Sequence, residues 1–72
     1  MDGETLRIIR TSNKLTIREF ASKLCVSHSL ISRIEGGDRR VTKRMKNKVM
    51  YTFNMTEEKL VAINLLINEI KI

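Results

Sequence analysis

The sequence predicts an all-α fold of five short helices, with the second and third joined by a very tight turn. Three observations lead there. No proline occurs anywhere in the 72 residues. Apolar residues recur three and four positions apart, the spacing of one buried helix face. A residue able to cap a helix start (Asp2, Thr16, Ser27, Thr42 and Thr56) stands before each periodic stretch.

The first helix is expected over about Gly3 to Ser12, with Asp2 as its cap and Leu6 and Ile9 inward, fading into the polar Asn13-Lys14. Thr16 starts the second. There Ile17, Phe20, Ala21 and Leu24 fall on one face, while Arg18, Ser22 and Lys23 point away. Only Cys25 and Val26 precede Ser27, the cap of a third helix over His28 to Glu35 that stops at Gly36-Gly37. Leu30, Ile31 and Ile34 make one face of this helix, and His28, Ser29, Ser32 and Arg33 the other. After a loop from Asp38 to Val41, Thr42 caps a fourth helix carrying Met45, Val49, Met50 and Phe53, and Asn54, tolerant of positive φ, ends it. Thr56, followed by Glu57 and Glu58 at the positive end of the helix dipole, begins a fifth that runs to the C-terminus. With no internal repeat and no Gly/Ser-rich linker, residues 1–72 read as one domain.

Composition narrows the function classes. Fourteen Lys and Arg against eight Asp and Glu leave a net charge of +6. A potential of that sign attracts polyanions, nucleic acid first, although it also serves plain solubility. Cys25 and His28 are the lone Cys and His, too few for a disulfide or a structural zinc site, so no metal is expected and a reducing cytoplasm fits. The acidic start Met1-Asp2-Gly3-Glu4 does not read as a signal peptide. The most apolar stretch, Leu60 to Ile72, is interrupted by Asn64, Asn68 and Glu69 and is shorter than the ~20 residues that span a bilayer. No triad, metal cluster or phosphate-binding Gly-rich loop is present, so neither an enzyme nor a cofactor or small-molecule substrate is expected.

The run TIREFASKLCVSHSLISRIEGG, residues 16–37, resembles the helix-turn-helix of the lambda-repressor-like family, which includes phage repressors and Cro proteins. The resemblance rests on Ala21, where a small side chain lets two helices approach, on Val26 in the turn, and on Phe20, Leu24, Ile31 and Ile34. Leu6 and Arg10 look like the family's first helix, and Phe53-Asn54-Met55-Thr56 like the close of its fourth, so residues 4 to 60 are covered. The resemblance implies a five-helix DNA-binding domain whose third helix enters the major groove, with dimers setting two such helices ~34 Å apart on a two-fold operator. On that docking His28, Ser29, Ser32 and Arg33 would read bases. Thr16, Ser27, Arg39, Arg40, Lys43 and Arg44 would meet phosphates, within a segment holding six basic residues in ten (39–48). For both groups a solvated helix face is the plainer alternative. It further implies a structural ion pair between Arg10 and Glu35.

The chain departs from the family pattern at three places. Ile17 stands where a phosphate-contacting Gln is usual. Cys25 stands at a turn position commonly filled by glycine, so it must adopt a left-handed conformation or shift the turn. Leu30 puts an apolar side chain at the rim of the recognition face. In the C-terminal helix (56–72), Leu60, Ile63, Ile67 and Ile70 can cover the core, while Val61, Leu65, Leu66 and Ile72 spill onto a second face. Together with Leu30, these four are the expected protein interface, for a homodimer or for a repressor protein as heterologous partner; tighter burial within the monomer is the alternative. The leading expectation is a phage or prophage regulator of a genetic switch that binds double-stranded operator DNA. An antirepressor, or modulator of repression, acting on the opposing repressor is the second, and an antitoxin-like regulator the third.

Overall fold

A computed structural model describes residues 1–70, with side chains through Glu69. Its described residues form five α-helices and no strand: α1 (Gly3–Ser12), α2 (Ile17–Leu24), α3 (His28–Glu35), α4 (Lys43–Thr52) and α5 (Glu57–Ile70). The five expected caps all accept a backbone N–H from the residue three positions on. Asp2 accepts from Thr5 at 2.8 Å, Thr16 from Glu19 at 3.1 Å, Ser27 from Leu30 at 3.2 Å, Thr42 from Met45 at 3.1 Å, and Thr56 from Lys59 at 3.2 Å. Each removes an orphan donor from a helix start. Thr16 does so reciprocally, because the Glu19 carboxylate accepts the Thr16 N–H at 2.9 Å. The bond from the Thr16 N–H foremost, and then the Thr16 hydroxyl beside the same carboxylate, hold the Glu19 pKa below the ordinary glutamate value.

The helix ends share a second device. At Lys14, Cys25, Gly37 and Asn54 the backbone turns left-handed, with φ of 57°, 57°, 91° and 52°. The N–H one residue later then reaches a carbonyl five residues back: Leu15 to Arg10, Val26 to Ala21, Asp38 to Arg33, and Met55 to Met50, at 2.8 to 3.2 Å. This is the Schellman closure, and only one of the four uses glycine. The turn therefore keeps its place and Cys25 takes the left-handed strain. The fourth helix stops one residue earlier than its apolar spacing suggests, because Phe53 is its C-cap.

Leu6, Ile9, Phe20, Ala21, Leu24, Ile31, Ile34, Met45 and Val49 form the buried core. Phe53 stacks on Phe20 at 5.2 Å between ring centroids, which fastens the end of α4 to α2. Helix α3 rests on α1 and α2, α4 on α2, and α5 on α1. The α1–α3 approach is close enough that a Cβ on Gly3 would collide with the Ile34 carbonyl. Leu60 and Ile67 of α5 are buried, Ile63 is half-buried, and Thr5, itself fully buried, donates to Asn64 Oδ1 at 2.9 Å. The expected positions Ile70, for its side chain, and Ile72 lie outside the described residues.

Cys25→Gly should stabilise the fold by up to about 1 kcal/mol. It relieves the ~1–2 kcal/mol penalty of a left-handed non-glycine residue and returns part of the gain as chain entropy. Urea denaturation should show a higher midpoint at an unchanged slope.

Candidate nucleic-acid interface

The third helix is short, so its orientation depends on what grips its ends. At its start Ser27 caps it, and the left-handed Cys25 lets α2 and α3 meet after a three-residue turn. At its far end Glu35 is held by Arg10 of α1 through two parallel bonds, Nε to Oε2 at 2.8 Å and Nη2 to Oε1 at 2.9 Å. The remaining guanidinium nitrogen, Nη1, donates to the Leu15 carbonyl at 2.9 Å. The side chains are only 14% and 9% exposed. The hydrogen bonds it donates to Glu35 raise the Arg10 pKa against the opposing effect of burial, so the guanidinium stays charged.

With its inner face fixed by Ile31 and Ile34, α3 turns His28, Ser29, Ser32 and Arg33 to solvent. Leu30 sits between the two faces, half-buried. The turn after α3 folds back on it, as Asp38 N–H bonds the Arg33 carbonyl at 2.9 Å and Arg39 N–H the same oxygen at 3.4 Å. Arg39 therefore lies beside Arg33, and the two line a shallow depression with Ser27, Ser29 and Leu30. Arg40, Lys43 and Arg44 follow along the loop and the first turn of α4, all exposed. Among the described residues, none of the side chains of Arg33, Arg39, Arg40, Lys43 and Arg44 has an ion-pair or hydrogen-bond partner.

Thr16 is exposed at the start of α2, and its hydroxyl, which accepts the Glu19 N–H, also lies beside the Glu19 carboxylate; the Ser27 hydroxyl accepts the Leu30 N–H and keeps its own proton to donate. Ile17, beside it, is half-buried against the core. Of the other basic residues in 39–48, Lys46 meets Glu57 at 3.5 Å and Lys48 donates to the Leu24 carbonyl at 3.2 Å, so both help hold the helices together.

Two residues in this region escaped the sequence reading. Tyr51 is 90% exposed and, with Lys23, joins Lys43, Arg44 and Lys48 around a wide groove between the end of α2 and α4. The signal was available, since Arg44, Lys48 and Tyr51 follow i, i+4, i+7 along one helix face. Lys23 belongs to a different helix, so only the fold brings it there.

The expected interface residues Val61, Leu65 and Leu66 lie on the outer side of α5, 55%, 59% and 58% exposed. Among the described residues no group of three or more His, Cys, Asp or Glu could hold a metal ion, and no helix is long and apolar enough to cross a membrane.

Two capped helices joined at a three-residue turn, the second presenting a polar face flanked by free cations, define a DNA-binding helix-turn-helix domain. The family model described as a helix-turn-helix domain matches residues 3–59. The chain belongs to that family, of the Cro-like kind at the level of the whole domain. No curated protein and no solved structure matches it.

Arg10→Met should cost about 1–3 kcal/mol, because it leaves the partly buried Glu35 carboxylate and the Leu15 carbonyl without their donor. The double variant Arg10→Met/Glu35→Leu should recover much of that loss, while leaving the Leu15 carbonyl unpaired. Urea unfolding of both variants beside the parent measures the difference.

Proposed function

We propose that this chain is a transcription regulator of the kind that runs a phage or prophage genetic switch, binding operator DNA in the cytoplasm with α3 in the major groove. One observation carries the reading. The polar face of α3 stands beside four unpartnered cations, Arg39, Arg40, Lys43 and Arg44, on the adjoining loop and helix start. In that pose Arg33 forks onto guanine O6 and N7, and His28, Ser29 and Ser32 bond neighbouring base edges. The four cations, with the Thr16 and Ser27 hydroxyls, bond phosphates and set the register of the helix in the groove.

A single short recognition helix reads few bases, so a two-fold pair supplies the specificity. The outer face of α5 suits that role. Val61 and Leu65 are one turn apart with Leu66 beside them, exposed and apolar, while Leu60 and Ile67 are spent on the core. A patch of that kind marks association. We assign it to a homodimer.

A second reading has one observation in its favour. Ile17 and Leu30 put apolar side chains where a DNA reader usually has polar ones, and both are half-buried at the rim of the α2–α3 face. On this reading the face binds the opposing repressor and acts as an antirepressor. Co-elution with that repressor, abolished by Leu30→Glu, would favour it over direct operator binding.

Binding of duplex DNA selected from a random pool should weaken steeply with salt, by a slope of about 0.9 for each phosphate neutralised. Arg40→Ala should lower that slope by about one phosphate and weaken all sequences alike. Arg33→Ala should cost about 1–3 kcal/mol on the preferred sequence and relax the choice of one base pair. Salt-independent or absent binding would refute the reading. Light scattering should give a dimer mass for the chain and a monomer mass for Leu65→Glu; an unchanged mass would move the partner surface elsewhere.

A further inference from the structure

Between α3 and the start of α4 lies a small pocket whose composition differs from the rest of the basic face. Its floor is apolar: Val26 from the turn, Leu30 and Ile34 from α3, and Met45 from α4. Its rim is cationic, with Arg39, Arg40, Arg44 and Lys48 around it and no carboxylate among the residues that line it. Lys48 already donates to the Leu24 carbonyl, whereas Arg39, Arg40 and Arg44 have no side-chain partner among the described residues. The volume is about 220 Å³. That is below the ~300–1,000 Å³ typical of small-molecule sites and suits one or two apolar side chains.

We propose that this pocket docks a short acidic segment of a partner protein, which inserts a leucine-sized side chain onto the apolar floor and sets carboxylates against the arginine rim. Charge complementarity selects the occupant. A nucleic-acid backbone would satisfy the rim and leave the floor without a partner. A second copy of this chain brings its own excess of cations to a rim already positive. An acidic segment with an apolar anchor satisfies both halves, in the usual arrangement of a buried anchor inside a polar ring. Seating the anchor also excludes water from beneath the carboxylate–guanidinium pairs and so strengthens them.

The regulatory consequence rests on the DNA reading above. Arg39, Arg40 and Arg44 cannot serve phosphates and carboxylates at once, so the acidic segment and the operator exclude each other. The same fold then releases DNA when a partner offers such a segment.

The test uses the full chain and a fluorescent acetylated peptide, Glu-Asp-Leu-Glu-Glu-Leu-Leu-Asp-Glu, beside a version with every leucine replaced by serine. Anisotropy should show the leucine peptide binding about tenfold tighter than the serine peptide, which has the same charge. Methyl NMR shifts should centre on Val26, Leu30 and Met45. Leu30→Ser should remove most of the leucine advantage, and the exposed Arg40→Glu should weaken both peptides without unfolding the chain. Labelled operator should be displaced by the leucine peptide at lower concentration than by the serine peptide.

Equal affinity for the two peptides would overturn the proposal, since a basic surface alone would explain it. Shifts confined to Val61, Leu65 and Leu66 would overturn it too, as would pocket shifts produced by concentrating the chain alone. A chain that binds operator but not the leucine peptide loses this inference and keeps the function proposed above; one that binds the peptide but no DNA does the reverse.

Discussion

The Arg10 guanidinium is the point on which the geometry of the α3 face depends. One planar group bonds the carboxylate that ends α3 and the carbonyl of Leu15 just before α2, and it is itself part of α1. Three segments, one of them 25 residues away in sequence, are thus held by one side chain. The fork of a guanidinium fits this task, because a carboxylate accepts two of its bonds in parallel while a third nitrogen remains for the carbonyl. A lysine could not match the geometry. The interaction contributes orientation more than net stability, since drawing both charges from water offsets much of their attraction. Its position at the end of α3 matters for that reason: a few degrees of tilt there would carry Arg33, together with the turn bonded to its carbonyl, away from the cations at the start of α4.

The remaining grip on α3 comes from closures of the backbone. An eight-residue helix has too few internal bonds to persist alone, so its ends must be satisfied from outside. Ser27 serves the start, and Gly37 lets Asp38 reach back to Arg33 at the other end. The same left-handed closure at Lys14, Cys25 and Asn54 ends the other three short helices with residues that have a Cβ. A chain without proline therefore turns sharply four times, accepting local strain at three non-glycine positions. The apolar residue after each of those positions (Leu15, Val26 and Met55) is half-buried against the core, and that burial offsets the strain.

Helix α5 shows how a small domain divides its apolar surface. A core of this size can cover one face of a fourteen-residue helix, and Leu60, Ile63 and Ile67 take that place. Thr5 and Asn64 fix the register with a hydrogen bond between α1 and α5. Val61, Leu65 and Leu66 remain outside, on the face most in need of cover. The basic surface near α3 and the apolar surface of α5 are thus built from separate elements.

The local features were legible in the sequence because they depend on neighbours. Five cap residues, the apolar spacing of α2 and α3, the outward set His28, Ser29, Ser32 and Arg33, and the split faces of α5 each follow from contacts within about four residues. The alternatives left open at Cys25 needed the structure, because a left-handed residue and a displaced turn have the same composition. Lys14 gave no warning of its left-handed turn, since lysine has no preference for it and the closure is set by where Leu15 must be buried. Asn64 read as a break in an apolar stretch, and became a partner for Thr5 only once α5 lay against α1. The pocket floored by Leu30 and Met45, and the placing of Lys23 beside Tyr51, likewise required helices far apart in sequence to meet. The sequence by itself determined which segments are helical and which faces are apolar or charged. Tertiary structure decided which of those faces share a surface, because that depends on the crossing of helices fixed by the Gly3–Ile34 approach, the Phe20–Phe53 stack and the Arg10–Glu35 fork.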